Sequence, residues 1–232
     1  MFSQSRLPES AAFAFDVGYA HAPEADRGGC GILASPGLSA QQPAPAPAQI
    51  TQRLDNEQVR VIVATLQPHT PSIARSGHAT NRVLIYLDDG VMTREEAGNT
   101  ARIEFHRGDV RWRPASGAYT SENVSDHPIR ILEVDLKGPP KGQAPATKLD
   151  PVAVDGTHFK VLLDNESVRV LRVHYCPHEA SKNHEHLFNR VILYLNDQPN
   201  GKADDVRLGP QRIHIEENAS DQPADAIAVE LK

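Results

Sequence analysis

The chain has 232 residues, a length that fits two compact units of under about 100 residues each. Its 39% hydrophobic and 23% charged residues are ordinary for a soluble protein, and no stretch approaches the roughly 18 consecutive apolar residues of a membrane-spanning helix. The formal net charge of −6, with no basic stripe, argues against a nucleic-acid partner.

The N-terminal part differs in composition from the rest of the chain. Ala, Gly, Pro and Ser occur throughout residues 1–48 and predict a disordered segment. Leu38-Ser39-Ala40 resembles a signal cleavage site, but Pro36 and Gly37 interrupt the short apolar run and only Arg27 precedes it. This weak signal-like stretch leaves two localisations open, the cytoplasm and the periplasm or the secreted fraction.

An internal repeat organises the remaining residues. The matching segments are 54–61 (LDNEQVRV) with 163–170 (LDNESVRV), 81–87 (NRVLIYL) with 189–195 (NRVILYL), and 122–126 (ENVSD) with 217–221 (ENASD). Matches this specific, in the same order, indicate a duplicated unit. We therefore expect one unit at 49–137, a second at 148–232, and a linker rich in Gly, Pro and Lys at 138–147.

Both copies have the pattern of an all-β unit. Short runs of β-branched residues alternate with Gly, Pro, Asn and Asp, and long helical periodicity is absent from both copies. This predicts a sandwich or a barrel. The charged stretch between Leu87 and Asp109 shrinks to 196–204 in the second copy, so we expect a shortened hairpin there. Residues 152–161 are expected to add a leading strand or two.

Candidate chemistry is concentrated in the second copy. His184 and His186 are separated by one residue, so on a strand their side chains project to the same side. His214 lies in a later strand that a barrel could fold back across the first. Three neutral imidazoles suit Fe, Zn, Mn, Ni or Cu, and geometry has to decide among these metals.

At these residues the chain resembles the cupin superfamily. His184 and His186 resemble the His-x-His pair of its first motif, and Pro210, His214 and Asn218 keep the Pro, His and Asn spacing of its second. The resemblance implies two tandem cupin-type jelly-roll (double-stranded β-helix) barrels. It also implies a metal site in the second barrel and a small-molecule pocket. For assembly, two states stay open: a homodimer, and a monomer whose two repeats pair with each other as a pseudo-dimer.

The sequence also departs from the cupin motifs. The Glu of the first motif is missing, because Arg190 and Val191 occupy its place. A set of three histidines without Glu nevertheless resembles the iron site of thiol and diketone dioxygenases in the superfamily. In the first copy, Ser76 and His78 stand where His184 and His186 do.

The counterpart of His214 in the first copy depends on the direction of counting. It is Tyr119 when counted from Asn123 and Ala118 when counted from Pro114. One imidazole and one phenol seldom hold a divalent ion, so the first barrel is predicted to be structural, with a degenerate site.

Two hypotheses of function stay open. In the first, the second barrel binds a divalent metal and a small molecule, with dioxygenase- or isomerase-like activity. In the second, the protein is a catalytically inert bicupin for ligand binding, assembly or interaction. Alternation places Arg212, His214 and Glu216 on one face of a strand, as in a strand with a solvated face, and a solvent-facing His214 would end the metal hypothesis.

Other conspicuous residues have simpler interpretations. His69 and His178 each follow a proline and are expected in exposed turns. Arg82 and Arg190 recur at one position, which indicates a structural ion pair, a hydrogen bond to a turn, or a clamp for a substrate carboxylate. Trp112 is expected to pack rather than to recognise a ligand.

Overall fold

The computed structural model describes residues 48–73, 80–115, 117–140 and 146–232. Apart from Ala48, the predicted disordered segment lies outside these ranges, as do Ser76 and His78 and residues 141–145 of the predicted linker. Among the described residues, no helix has both the length and the apolar character needed to cross a membrane.

Strands form nearly all of the regular structure. The first copy contains β1 Gln49–Asp55, β2 Val59–Leu66, β3 Pro71–Ile73, β4 Arg82–Tyr86, β5 Gly90–Glu96, β6 Asn99–Phe105, β7 Val110–Arg113, β8 Tyr119–Asn123 and β9 Ile129–Leu136. The second copy contains a helix, α1 Pro151–Val154, and β10 Phe159–Asp164, β11 Val168–Tyr175, β12 His184–His186, β13 Arg190–Tyr194, β14 Val206–Gly209, β15 Arg212–His214 and β16 Ala224–Leu231.

Each copy folds as two antiparallel sheets. In the first copy, a five-stranded sheet has the order β1-β2-β9-β4-β7 and a four-stranded sheet has the order β3-β8-β5-β6. In the second copy, a five-stranded sheet has the corresponding order β10-β11-β16-β13-β14 and a two-stranded sheet consists of β12 and β15. The all-β prediction with two tandem jelly-roll barrels is confirmed.

Strand register repeats along with the sequence. Val59 pairs with Leu136 in the first copy, as Val168 pairs with Leu231 in the second. The register also shifts at one equivalent place, between Gln52 and Leu54 in β1 and between Val161 and Leu163 in β10. A bulge adds a residue that pairing alone does not require, so its recurrence supports the duplication independently of the matched residues.

The predicted shortening of the second copy is confirmed. In the first copy, β5 pairs with β6 along its whole length and also with β8. In the second copy, the chain passes from β13 to β14 through a turn whose only bridge among the described residues joins Gln198 to Gly201. Barrel 2 therefore lacks a counterpart of the β5-β6 hairpin, which supplies two of the four strands of the small sheet in barrel 1.

The residues before β10 were only partly predicted. β10 is the expected leading strand, but α1 precedes it. Asp150 caps this helix by accepting hydrogen bonds from the Val152 and Ala153 amides, and Pro151 lies in its first turn. One helical turn is too short to produce helical periodicity, so the sequence pattern did not reveal it.

The two large sheets pack against each other through one face of each. Alternate residues of β2, β4 and β9 lie on this face in barrel 1, and those of β11, β13 and β16 do so in barrel 2. The buried side chains of this shared core are Val59, Val61, Val63, Val83, Ile85, Leu87, Leu132, Val134, Leu136, Val168, Val170, Val191, Leu193, Leu195, Ile227, Val229 and Leu231. The opposite face of each large sheet is directed into its own barrel.

Candidate metal centre

β12 and β15 bring the three predicted histidines together. The strands are antiparallel, with His184 directly opposite His214 and His186 opposite Arg212. Opposed residues of a strand pair share one face of the sheet, and so do residues two apart on one strand. All three imidazoles therefore share the face of the small sheet that is directed into barrel 2.

The polar face of β15 is turned inward. The His214 side chain is only 11% exposed, whereas Ile213 and Ile215 on the other face are 55% and 61% exposed. This arrangement is the reverse of the usual strand, which buries its apolar face. The alternative interpretation, in which His214 faces solvent, is therefore wrong.

The imidazoles form a compact, buried group. His184 is fully buried and His186 is 2% exposed. One potential ligand atom from each of the three rings lies within 4.8 Å of the others. The Nε2 atoms of His184 and His186 are 3.2 Å apart. Ligand nitrogens that are about 2.0–2.1 Å from one ion lie roughly 3 Å from each other, so this pair has a spacing suited to a shared ion.

For His184 and His186, hydrogen bonds fix which ring nitrogen is directed inward. His184 Nδ1 is 2.9 Å from the Lys182 carbonyl oxygen, which can only accept, so Nδ1 carries the proton. His186 Nδ1 is 2.7 Å from the buried Glu230 carboxylate. Metal-binding histidines usually have such a carbonyl or carboxylate partner on their outer nitrogen. Both Nε2 atoms are thereby left to face each other.

This arrangement requires something between the two rings. If both inner nitrogens were unprotonated, their lone pairs would be opposed at 3.2 Å. Either an additional proton bridges them or a cation does.

Burial keeps two of the rings neutral at ordinary pH. Desolvation is the largest cause that lowers the pKa of His184. Desolvation, followed by the charge of Arg212, lowers the pKa of His214 to about 3. Neutral imidazole is the form that binds metals, so protons compete weakly at these two rings.

Arg190 and Glu216 complete the surroundings of His214. Arg190 is buried; it donates a hydrogen bond to the Pro210 carbonyl oxygen (2.7 Å), and its Nη2 lies 3.5 Å from His214 Nε2. The Glu216 carboxylate lies 3.7 Å from His214 Nε2 and 3.8 Å from Arg190 Nη2. The predicted hydrogen bond from Arg190 to a turn is confirmed.

Glu216 is also hydrogen-bonded to a side chain of β11, a strand of the large sheet. Tyr175 donates a hydrogen bond of 3.3 Å to its carboxylate. Burial and the nearby Glu216 charge raise the pKa of the Tyr175 hydroxyl, so this proton stays on the phenol. The cupin motif has its Glu at the place of Arg190 or Val191, whereas here the nearby carboxylate is that of Glu216, two residues after His214.

A cavity of about 590 Å³ opens beside this group. His186, Arg190 and Glu216 line it on the polar side, and Phe159, Ile192 and Tyr194 contribute apolar walls. This size and this mixture of apolar walls with a few polar groups are typical of small-molecule sites.

The remaining sequence predictions have mixed outcomes. His69 and His178 are exposed, as expected, and both have a positive φ. Trp112 packs against the shared core between the sheets, as expected. Arg82 occupies the interior of barrel 1 and has Glu133 3.8 Å from its Nε, which agrees with the predicted structural ion pair.

Neither Glu230 nor Glu216 had a role predicted from the sequence, although Glu216 was placed on the His214 face of its strand. Glu230 is matched by Asp135 in the first copy, so the repeat contained a signal for an acidic residue directed into each barrel. Strand register brings Glu230 opposite Arg190, and Asp135 opposite Arg82. The recurring Arg and acid pairs could therefore have been found by comparing β4 with β9 and β13 with β16, since opposed residues of paired strands share one face of the sheet.

Comparison with solved structures places the fold among cupins. A cupin 2 conserved barrel domain protein from Leptotrichia buccalis matches with a TM-score of 0.52 and 14% identity, covering 82% of this chain and 91% of that chain. An oxalate decarboxylase from Lactobacillus farciminis, solved as a formate complex, matches with a TM-score of 0.56 and 12% identity, covering 84% of each chain.

A third match concerns an oxalate decarboxylase with Mn(II) centres. This protein, from Bacillus subtilis, has a TM-score of 0.54 and 12% identity, with 79% of this chain and 75% of that chain covered. No known family model matches the sequence, and no curated protein does. The chain has the two-barrel cupin fold. At these identities the likeness defines the fold, and any chemistry has to be argued from this chain's own residues.

Proposed function

We propose that barrel 2 is a metal-dependent site for a small organic molecule, with His184, His186 and His214 as the protein ligands of one divalent transition metal. The observation that carries this proposal is the pair of inner nitrogens 3.2 Å apart, each on a ring whose outer nitrogen has its own hydrogen-bond acceptor. A cation between them would satisfy both lone pairs.

Several metals fit this donor set. Imidazole ligands suit Fe, Zn, Ni and Cu, and the Mn(II) centres named for the Bacillus subtilis oxalate decarboxylase add Mn to the candidates. When bound, such an ion would supply Lewis-acid or oxygen-activating chemistry beside the cavity that His186 lines. Dioxygenase-like and isomerase-like reactions both remain within this proposal.

The chain's own residues would bind and orient the substrate. Phe159, Ile192 and Tyr194 offer an apolar surface for its body. Arg190 offers a guanidinium to an anionic group, and its buried position favours a strong, charge-assisted hydrogen bond. Glu216 is a carboxylate within reach of the same volume and could hold a proton or accept one from the substrate.

One observation favours a second candidate, an inert ligand-binding barrel. Arg190 Nη2 lies 3.5 Å from His214 Nε2, where its positive charge opposes that of a metal ion. If Arg190 keeps this position, a proton rather than a metal would bridge His184 and His186. The barrel would then bind small molecules without catalysing a reaction.

Metal analysis by plasma mass spectrometry distinguishes the two candidates. The full-length protein, purified without an affinity tag, is compared with His184→Ala, His214→Ala and His178→Ala, the last changing an exposed histidine as the control. We expect about one equivalent of metal in wild type and in the control, and loss of most of it in the other two variants. Wild type that binds no metal after reconstitution with Fe(II), Mn, Ni or Zn would overturn the proposal and leave the inert barrel.

A further inference from the structure

The small sheet of barrel 2 ends in an uncovered strand edge. In barrel 1, β8 lies between β3 and β5, and β5 pairs with it from Tyr119 to Asn123. The repeat matches Asn123 with Asn218, so β8 corresponds to residues 214–218 of barrel 2. Among the described residues, β15 pairs with β12 alone, because barrel 2 has no counterpart of β5. The edge that β5 covers in barrel 1 is therefore free in barrel 2.

Backbone hydrogen bonds identify the groups that point to this edge. The Asn218 amide donates to the Glu179 carbonyl oxygen, in the segment before β12, at 2.8 Å. Neighbouring residues of a strand direct their amide and carbonyl groups to opposite sides, so Ile213, Ile215 and Glu217 direct theirs away from β12. In the part of the chain that the structure describes, these groups of Ile215 and Glu217 have no hydrogen-bond partner. The edge can therefore accept another strand.

The outer face of this edge is apolar. Ile213 and Ile215 have the most exposed large apolar side chains in the described ranges. By contrast, β6 ends the small sheet of barrel 1 and has Thr100, Arg102 and Glu104 exposed at alternate positions. Charged side chains protect a free strand edge against association, whereas an exposed apolar edge favours it. The β15 edge is therefore of the kind that pairs.

The same edge forms part of the rim of the barrel 2 cavity. Ile215 and Glu217 both line this cavity. In barrel 1, the hairpin that barrel 2 lacks contributes Met92 of β5 and Phe105 of β6 to the buried interior. A strand paired with β15 would lie where β5 lies in barrel 1. It would therefore border the mouth of the cavity.

A second copy of this chain matches the edge in both shape and charge. Two identical antiparallel strands can pair about a two-fold axis. With the axis at His214, Ile213 of each chain lies opposite Ile215 of the other, and the backbone groups of both point to the shared edge. The same register places Arg212 of each chain opposite Glu216 of the other on the inner face. Apolar and opposite-charge pairs across strands are both stabilising.

The charge match extends a pair that already exists in one chain. Arg212 lies 3.6 Å from Glu216 of its own chain, and its side chain is half exposed. Two chains in this register would therefore form a row of two arginines and two glutamates. This complementarity favours a second copy over an unrelated strand.

We propose that two copies of the chain associate through antiparallel pairing of β15 about an axis at His214. The two small sheets of barrel 2 then join into one four-stranded sheet with the order β12-β15-β15-β12. Four is also the number of strands in the small sheet of barrel 1. No residue of β15 belongs to the core shared by the large sheets. The contact needs no metal, so it does not depend on the function proposed for barrel 2.

Sedimentation velocity of the full-length protein between about 1 and 200 μM tests this proposal. We expect wild type to approach twice the chain mass of 25.4 kDa, with a dimer Kd below about 100 μM, in the presence or absence of a chelator. Ile215→Lys should raise this Kd at least about 10-fold, because it places two like charges in the apolar contact. Leu162→Lys changes an exposed leucine on the edge strand β10 and is the matched control, with Kd unchanged.

Three results would overturn the proposal. The first is wild type that stays monomeric at the highest concentration. The second is Ile215→Lys that dimerises as tightly as wild type. The third is a dimer lost in Leu162→Lys and retained in Ile215→Lys, which would place the contact on the large sheet. Both variants change exposed side chains, and circular dichroism checks that each keeps the wild-type fold.

Disulfide cross-linking tests the register of the two strands. Ile213→Cys and Ile215→Cys are prepared separately in a Cys30→Ser/Cys176→Ser background and then mixed. Opposed residues of a hydrogen-bonded pair have Cα atoms about 5.5 Å apart, which a disulfide can span. We expect the mixture to cross-link faster than either variant alone. Equal rates in the mixture and in Ile213→Cys alone would overturn the axis at His214.

Discussion

Glu230 is the residue that most directly supports the metal-bound interpretation of His186. Its carboxylate is 2.7 Å from His186 Nδ1, and both side chains are buried. A carboxylate at this position fixes the ring orientation and increases the basicity of the inner nitrogen. It can do this without contacting the metal itself.

Glu230→Gln is therefore expected to weaken metal binding without changing the ligand set. Loss of such an outer partner typically lowers affinity about 10- to 100-fold. Titration against a competing chelator measures the change. Glu57→Gln, an exposed position in barrel 1, serves as the control and should retain wild-type affinity. Equal affinities in wild type and Glu230→Gln would show that this contact has no role in metal binding.

At the residue scale, the sequence predicted the histidines but not their partners. The spacing of His184 and His186 is local, so it could be read directly. Glu230 is 44 residues from His186, and Arg190 is 24 residues from His214. Such pairs form through strand register, which a single sequence does not specify.

At the element scale, β15 shows why the alternation of its residues did not decide whether His214 is buried or faces solvent. Alternation correctly separated His214 from Ile213 and Ile215. It did not indicate which face was buried, because an ordinary strand buries the isoleucines. The pairing of β15 with β12 determines which face is buried, because it places His214 opposite His184 inside the barrel.

The packing of the two large sheets leads to a prediction about the free energy of unfolding. Leu132 on β9 is fully buried in the shared core, so Leu132→Ala should lower the free energy of unfolding by about 2–5 kcal/mol. Urea denaturation followed by circular dichroism measures this. Leu162→Ala, at a position 44% exposed on β10, should cost less than about 1 kcal/mol. Similar losses in both variants would contradict the assignment of the core to this face.

At the scale of the whole molecule, polar contacts tie the barrels together at the edge of the shared core. Asp204 of barrel 2 accepts hydrogen bonds of 2.6 Å from both Arg107 and Arg130 of barrel 1. Gly108, at φ +89°, lies beside Arg172 of barrel 2, and a β-carbon there would lie 2.6 Å from its Nη1. The positive φ of Gly108 favours glycine at this turn, and a β-carbon there would also displace the end of the Arg172 side chain.

Asp204→Asn should accordingly destabilise the protein as a unit. Removing one charge shared by two arginines is expected to cost about 1–3 kcal/mol. Asp197→Asn is the matched control, because Asp197 pairs with Lys202 on the exposed surface and should contribute under about 1 kcal/mol. Thermal unfolding monitored by calorimetry compares the variants. An unchanged melting temperature in Asp204→Asn would contradict the bridging role.

The repeat made the overall architecture predictable, including the shortened hairpin of barrel 2. The homodimer inferred from the cupin resemblance stays a prediction. The large sheets already cover each other within one chain, and this packing does not test an assembly of two chains. The division at residues 138–147 also stays a prediction, since strand pairing inside the chain does not test it.

Anomalous X-ray diffraction from crystals of the metal-reconstituted protein tests the central claim most directly. We predict one strong anomalous peak inside barrel 2, about 2.0–2.2 Å from a nitrogen of each of His184, His186 and His214. The Arg190 guanidinium should then lie farther from His214 than the present 3.5 Å. Crystals grown in excess metal that show no peak at this position, with Arg190 still against His214, would contradict the claim.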